Sequence, residues 1–235
     1  MNLILLFADD FVAADRVLLT GRRLDHVRLV HRAAAGDELR VGLAGGAIGR
    51  GRVERIDETA LELAVAFNQP PPAPLAVTLL LALPRPKVLR RVLGTATAMG
   101  VKRIVLLNAQ RVEKSFWQSP VLEPDALRET LILGLEQGCD TLLPDILVRR
   151  RFRPFVEDEL PALAAGSLAL VGDPRGTTPC PRQVNGPITL AVGPEGGFIP
   201  FEVELLAAAG MQPVHLGSRI LRVEAAVPAL LARLG

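Results

Sequence analysis

The stretch Ile188–Phe198 reads ITLAVGPEGGF, and it decides how the second half of the chain is built. A run without charge, Ile188–Val192, stops abruptly at Gly193-Pro194-Glu195-Gly196-Gly197. Pro200 then opens a new segment at the first helical position, which proline favours. Strand, glycine-rich loop and helix in that order let a ligand approach bare backbone amides. The pattern returns further on. Pro213–Leu216 is a short strand, Gly217-Ser218 the break, and Arg219–Glu224 the lead into an Ala/Leu-rich helix. Two loops leaving the ends of neighbouring strands predict a pocket at the carboxyl edge of a parallel sheet.

Upstream, strand and helix alternate. Leu75–Leu83 reads as a buried strand, Pro86–Met99 as a helix ended by Gly100, and Arg103–Leu107 as the next strand. Asp125–Gln137 is expected to be a helix with Gly138 as its C-cap. Pro144–Val148 is a short strand, Phe155–Ala165 a helix, and Ser167–Val171 a strand ending at Gly172-Asp173-Pro174. Such alternation implies a parallel sheet covered by helices. Pro228 falls early in the last helix, which predicts a late start or a kink there.

The first 68 residues differ. Leu39–Val41, Gly51–Ile56 and Leu61–Ala66 are short strand-like runs separated by turn signals, a pattern that suggests a small barrel. His26–Arg32 allows one or two helical turns. Gln69-Pro70-Pro71-Pro72-Ala73-Pro74 is a stiff extended connector and marks the domain boundary.

Composition bounds the function less. The chain has 235 residues, 49% hydrophobic and 22% charged, as in a globular protein with a sizeable core. Of 27 basic residues, lysine supplies only Lys87, Lys102 and Lys114. Arginine suits phosphate and base stacking, but a high-GC genome gives the same bias. Arginines 22, 23, 28, 32, 40, 50, 52 and 55 are interleaved with a comparable set of acids, so a phosphate-gripping face and a solvated mixed surface stand level. Cys139 and Cys180 are the only cysteines and form no CxxC, and His26, His31 and His215 are scattered, so no metal site is expected. The start, MNLILLFADD, lacks a basic region and a cleavage-like site, and no apolar run is long enough for a bilayer span; a reduced, cytoplasmic protein without a membrane anchor is the expectation.

Three loops carry the chemistry: Gly172-Asp173-Pro174, Gly193–Gly197 and Gly217–Leu221. The middle one is neither GxGxxG nor a P-loop. GPEGGF followed by LGSRILRVEAA resembles the signature of the SPOUT methyltransferases, in particular the ribosomal RNA small subunit methyltransferase E family. HVRLVHRAAAGDELRVG, LPRPKVLRRVLGTATAMGVKRI, QRVEKSFW and LEQGCDTLLPDI extend the resemblance along the chain.

That resemblance implies a PUA-like, RNA-binding β-barrel over residues 1–69 and a SPOUT α/β domain over residues 74–235, with a C-terminal trefoil knot, an exception to the rule against threaded chains. It implies a homodimer with S-adenosylmethionine held in the knot, and methylation at N3 of one uridine in the decoding region of 16S ribosomal RNA in the small subunit. Carried over by motif, Leu170, Val171, Gly172, Asp173 and Pro174 form one wall of the cofactor site and Gly193, Pro194, Glu195, Gly196 and Gly197 the second. Leu216, Gly217, Ser218, Ile220 and Leu221 wrap adenine and ribose. Arg222 and Glu224 stand at the reacting end, the first to stabilise an anion and the second as leading candidate base. Arg22, Arg23, Arg28, Arg32 and Arg111 are the candidate RNA contacts. Glu195 has a second reading, as a cap on the helix that follows. The chain departs from the family pattern at Val223, where threonine is usual, at Glu224-Ala225-Ala226 in place of ETA, and at Ala98-Met99-Gly100-Val101 in place of ELGV. Two rivals remain: a SPOUT enzyme acting on another atom, such as a ribose 2′-hydroxyl, and an RNA-binding assembly factor without catalysis.

Overall fold

The computed structural model describes residues 2–235. They divide into two compact units, residues 2–73 with Ile132–Leu143, and Pro74–Leu131 with Pro144–Gly235.

The first unit carries six strands: β1 (Ile4–Leu6), β2 (Phe11–Ala13), β3 (Arg16–Leu19), β4 (Glu38–Leu43), β5 (Ile48–Ile56) and β6 (Leu61–Gln69). Their order is β1-β4-β5-β6-β3-β2, with β1 and β4 parallel and the other neighbours antiparallel. Instead of a closed barrel, the sheet is mixed, and β1 and β2 are its end strands. A short helix α1 (Gly21–His26) continues into a π-helical turn, Val27–His31, which ends at Arg32 in the left-handed region.

β1 is buried on both faces. Ile4 and Leu6 join a core with Val17, Leu19, Val41, Leu61 and Leu63. Leu3 and Leu5 point the other way, into a cluster with Ile48 and Leu135. Leu135 belongs to helix α3 (Pro124–Gly138). Residues 132–143 therefore pack with the first unit although they follow the proline connector by some sixty residues in sequence.

The second unit is α/β. Its sheet runs β11-β13-β10-β12-β7-β8-β9, and every neighbouring pair is parallel. The strands are β7 (Leu75–Ala82), β8 (Val101–Leu107), β9 (Asp145–Arg149), β10 (Leu168–Gly172), β11 (Thr178–Pro179), β12 (Ile188–Val192) and β13 (Gln212–His215). β12 lies between β10 and β7, and all five of its residues are buried. That position accounts for its lack of charge: each fully buried aliphatic side chain contributes roughly 1.5–3 kcal/mol.

The helices are α2 (Pro86–Ala98), α3, α4 (Phe152–Pro154), α5 (Leu160–Leu163), α6 (Pro200–Ala208) and α7 (Val223–Leu234), with a π turn at Phe155–Glu159 between α4 and α5. Two expectations change. The helix α3 includes Gly138, and Cys139, at φ +55°, takes the left-handed position instead. α7 starts at Val223 and carries Pro228 inside it, so its start is not delayed. The Arg222 carbonyl accepts from both Ala225 N (2.9 Å) and Ala226 N (2.7 Å), which locks the first turn ahead of the proline.

Candidate functional site

The carboxyl ends of the central strands gather five loops. Buried Glu202, in the first turn of α6, ties two of them. Its Oε2 accepts Ile199 N at 2.9 Å, closing the helix start, and its Oε1 accepts Gln110 N at 2.7 Å from the loop after β8. The helix cap is thus Glu202. Glu195 instead reaches the loop after β7, where its Oε1 accepts Arg85 N at 3.0 Å. Arg111 donates to the Gly196 carbonyl oxygen.

Within the GPEGG loop, Gly197 N donates to Pro194 O at 2.7 Å and Gly197 has φ +69°. Gly193 sits against the backbone of that turn: a Cβ there would lie 2.8 Å from Phe198 N. Beside it, Asp173 is 8% exposed and accepts from Arg175 through both oxygens, at 3.0 and 3.1 Å. Arg175 also donates to Phe198 O at 3.0 Å, which straps the loop after β10 to the GPEGG loop. The hydrogen bonds to Asp173 raise the Arg175 pKa further.

These loops enclose a cavity of about 300 Å³. Gly172, Gly193, Pro194, Glu195, Gly196, Gly197, Ile220, Leu221 and Arg111 all line it. Leu216 and Gly217 line a narrower recess of about 60 Å³ that shares Gly172, Val192 and Leu221 with the cavity. Larger hollows exist: about 350 Å³ between Glu38, Arg40 and Arg50, and about 570 Å³ along Arg182 and Ala229. The first draws on none of the three loops and the second only on the third, through Leu221, so the convergence of all three and not volume identifies the site.

Other candidates stand elsewhere. Leu170 and Val171 are wholly buried inside β10, and Ser218 is exposed and outside the walls. Arg222 is exposed as the N-cap residue of α7, and Glu224 is half-buried in its first turn; neither lines the cavity, although their neighbours Leu221 and Val223 do. In the first unit, Arg22 grips buried Glu136 with two hydrogen bonds of 2.7 and 3.1 Å. Arg23 grips Asp10 with two of 2.6 Å, donates to Leu5 O and stacks on Phe7. Arg28 lies 3.9 Å from Glu58, and Arg32 is exposed. Sequence reasoning did not single out Arg175 or Glu202. The signal for Arg175 was the DPRG turn, an aspartate two residues before an arginine. For Glu202 it was its place three residues after the N-cap position, Ile199.

Among the described residues, no group of three or more His, Cys, Asp or Glu could hold a metal ion, and no helix is long and apolar enough to cross a membrane. Several known proteins resemble the chain. Ribosomal RNA small subunit methyltransferase E of Treponema pallidum is 28% identical, over 99% of this chain and 90% of that one. The protein of the same name from Synechocystis is 29% identical over 98% and 76%. A crystal structure of a ribosomal RNA small subunit methyltransferase E from Neisseria gonorrhoeae bound to S-adenosyl methionine superposes with a TM-score of 0.77 at 21% identity, covering 99% and 95%. A family model described as an RNA methyltransferase domain matches residues 71–235, more than half of the sequence, and the chain belongs to that family.

Proposed function

We propose that the protein is an S-adenosylmethionine-dependent methyltransferase that modifies N3 of one uridine in the decoding region of 16S ribosomal RNA in the small subunit. The observation that carries the reading is the cavity at the sheet's carboxyl edge, walled by three glycine-bearing loops. Its volume, about 300 Å³, is at the lower end of ligand pockets. The residues fit the cofactor. Val192, Leu221 and Ala226 offer apolar contact for an adenine ring, and the backbone of Gly193–Gly197 and Leu216–Leu221 offers hydrogen-bonding groups along its edges. A side chain at Gly193 would press on the backbone of Gly197 and Phe198, so glycine there keeps the loop in its present course. Bound there, the cofactor's sulfonium would supply an activated methyl group.

The chain's own task is then to orient the uridine and stabilise the charge that appears when its N3 proton leaves. Arg222 is the group for that charge, since a guanidinium can face the two carbonyl oxygens flanking N3. Glu224, in the first turn of α7, is the candidate base. Both stand just beyond the cavity wall, where a substrate would enter.

A homodimer fits the same edge. Ile220 lines the cavity yet is 82% exposed, an apolar surface that a second subunit would cover. The knot reading is supported by the segment after β11, where Gln183 N and Val184 N donate to the Arg233 and Leu234 carbonyls at the end of α7 (3.0 and 2.8 Å), while α7 packs on α2. The first unit is read as a PUA-like RNA-gripping module. The substrate places the protein in the cytoplasm, with ribosomes.

The test is methyl transfer from labelled S-adenosylmethionine to 30S subunits that lack the modification, followed by nucleoside analysis. The expected product is a single N3-methyluridine. A 2′-O-methyl nucleoside would shift the reading to another target atom, and cofactor binding without transfer would refute catalysis.

A further inference from the structure

The segment that leaves β9 reads Arg149-Arg150-Arg151-Phe152-Arg153, the densest run of positive charge in the chain. Its four guanidiniums are not equivalent. Arg149 is held by Glu159 through two contacts of 2.8 and 2.7 Å, and Arg153 by Glu157 at 2.7 Å. Arg150 and Arg151 are exposed and have no carboxylate partner among the described residues. Arg150 lies over the ring of Trp117, with its guanidinium carbon 5.3 Å from the ring centre.

Trp117 is itself fixed. It sits in the turn Lys114–Gln118 that follows β8, and its Nε1 donates to Asn108 Oδ1 at 2.8 Å. Asn108 N donates in turn to Arg149 O at 3.0 Å, which joins the loop after β8 to the loop after β9. The assembly is next to the cavity. Phe152 packs on Phe198 of the cavity wall with ring centres 5.8 Å apart, and Arg111, from the same loop as Asn108, holds the Gly196 carbonyl.

We infer that Trp117, Arg150 and Arg151 form a contact strip for single-stranded RNA beside the cofactor cavity, and this rests on the methyltransferase reading above. An indole capped by a guanidinium is a rigid planar platform, and a flanking base can stack on the outer face of Arg150. Arg151, one residue on and without a counter-charge, takes a backbone phosphate. Exposed Lys114, at the start of the turn that carries Trp117, adds positive charge on that edge. The geometry explains a division of labour within the run: two arginines are spent on Glu157 and Glu159 to hold the strand exit, and two remain for a ligand.

The experiment measures binding of deproteinised small-subunit ribosomal RNA as a function of salt, with cofactor affinity and methyl transfer to 30S subunits measured in parallel. Arg150→Ala is expected to weaken RNA binding about ten-fold, the scale of one lost base stack. Arg150→Lys keeps the charge but not the plane, and should fail to rescue. Arg151→Ala should weaken binding and reduce the slope of log affinity against log salt by about 0.7, one single-strand phosphate contact, and Arg151→Lys should restore it. Cofactor affinity should stay within about two-fold in all four variants, which separates RNA contact from collapse of the loops. If the wild-type protein methylates RNA and Arg150→Ala and Arg151→Ala bind it as tightly as wild type does, the strip is refuted while the functional reading stands. If the wild-type protein neither binds nor methylates RNA, the functional reading and the strip fall together.

Discussion

Replacing Glu202 by glutamine tests whether one buried carboxylate organises the cofactor site. The side chain is 4% exposed, and each of its oxygens accepts a different backbone N–H, from Ile199 at 2.9 Å and Gln110 at 2.7 Å. Glutamine has nearly the same shape but only one acceptor, so its amide NH2 must face one of these N–H groups. A hydrogen bond to a charged group is worth about 1.5–3 kcal/mol, and a buried donor left without a partner costs about 1–3 kcal/mol. These overlap in part, so the net loss should be about 2–4 kcal/mol. For a chain of this size, roughly 2–4 °C is lost per kcal/mol, which predicts a melting temperature lower by about 4–16 °C. The two freed loops carry Arg111 and the GPEGG turn, so cofactor affinity should also fall, by about ten-fold or more. Differential scanning calorimetry and isothermal titration with S-adenosylmethionine read the two effects. Glu204→Gln, on the same helix but exposed, is the control and should change stability by no more than about 0.5 kcal/mol. A Glu202→Gln protein that melts within about 1 °C of wild type and binds the cofactor equally well would refute the reasoning.

Gly193→Ala places a Cβ 2.8 Å from Phe198 N and 3.0 Å from the Gly197 backbone, atoms that cannot swing aside, so the loop must shift and cofactor affinity should fall about 5–150-fold by titration, the equivalent of about 1–3 kcal/mol of overpacking. Arg32 holds φ +54° at an exposed π-turn end, and Arg32→Gly should raise the unfolding free energy by about 0.5–1 kcal/mol, since the left-handed cost of about 1–2 kcal/mol outweighs glycine's added chain entropy. Denaturant midpoints check that, and a simultaneous loss of RNA affinity would place Arg32 at the RNA. Asp57 accepts from Thr59 Oγ1, Thr59 N and Ala60 N, hydrogen bonds that bring its pKa down from 3.8 to about 2. The folded value lies below the unfolded one, so the stabilisation is complete above pH 3.8 and fades as pH falls through about 2. The melting-temperature gap between wild type and Asp57→Ala should therefore narrow between those pH values; a gap unchanged down to pH 2 would contradict the assignment.

Parts of the fold were legible where one force dominated. Ile188–Val192 is read to the residue because a strand with neighbours on both sides and every side chain buried admits no charge. β1 was missed for a related reason. Leu3–Leu6 buries alternate side chains in two different clusters, so period-two patterning vanishes and the run resembles any apolar N-terminus. Packing of residues 132–143 with the first unit was illegible because it depends on which distant side chains meet Leu135. Cys139 in the left-handed region defeats a rule that assigns that conformation to the adjacent glycine; the half-buried Cys139 packs against the Leu135 cluster, a contact that Gly138, having no side chain, could not make.

The site shows the same division between backbone and side chain. Glycine loops are visible in sequence because a backbone that must bend sharply or lie close to a ligand restricts residue type directly. The residues that hold those loops in place are visible only by their partners. Glu195, Glu202, Asp173 and Arg175 are ordinary surface residues by type, yet each bonds a loop other than its own or braces a residue that does. A substrate surface is harder still to read, because arginine serves both ends. Arg22 and Arg23 are committed to Glu136 and Asp10, and Arg149 and Arg153 to their glutamates, while Arg150 and Arg151 in the same run remain available. Counting basic residues cannot separate these groups, whereas the positions of the carboxylates can. The arginines free to meet RNA are therefore those left over once each acid is matched, Arg150 and Arg151 beside the glycine-loop cavity among them.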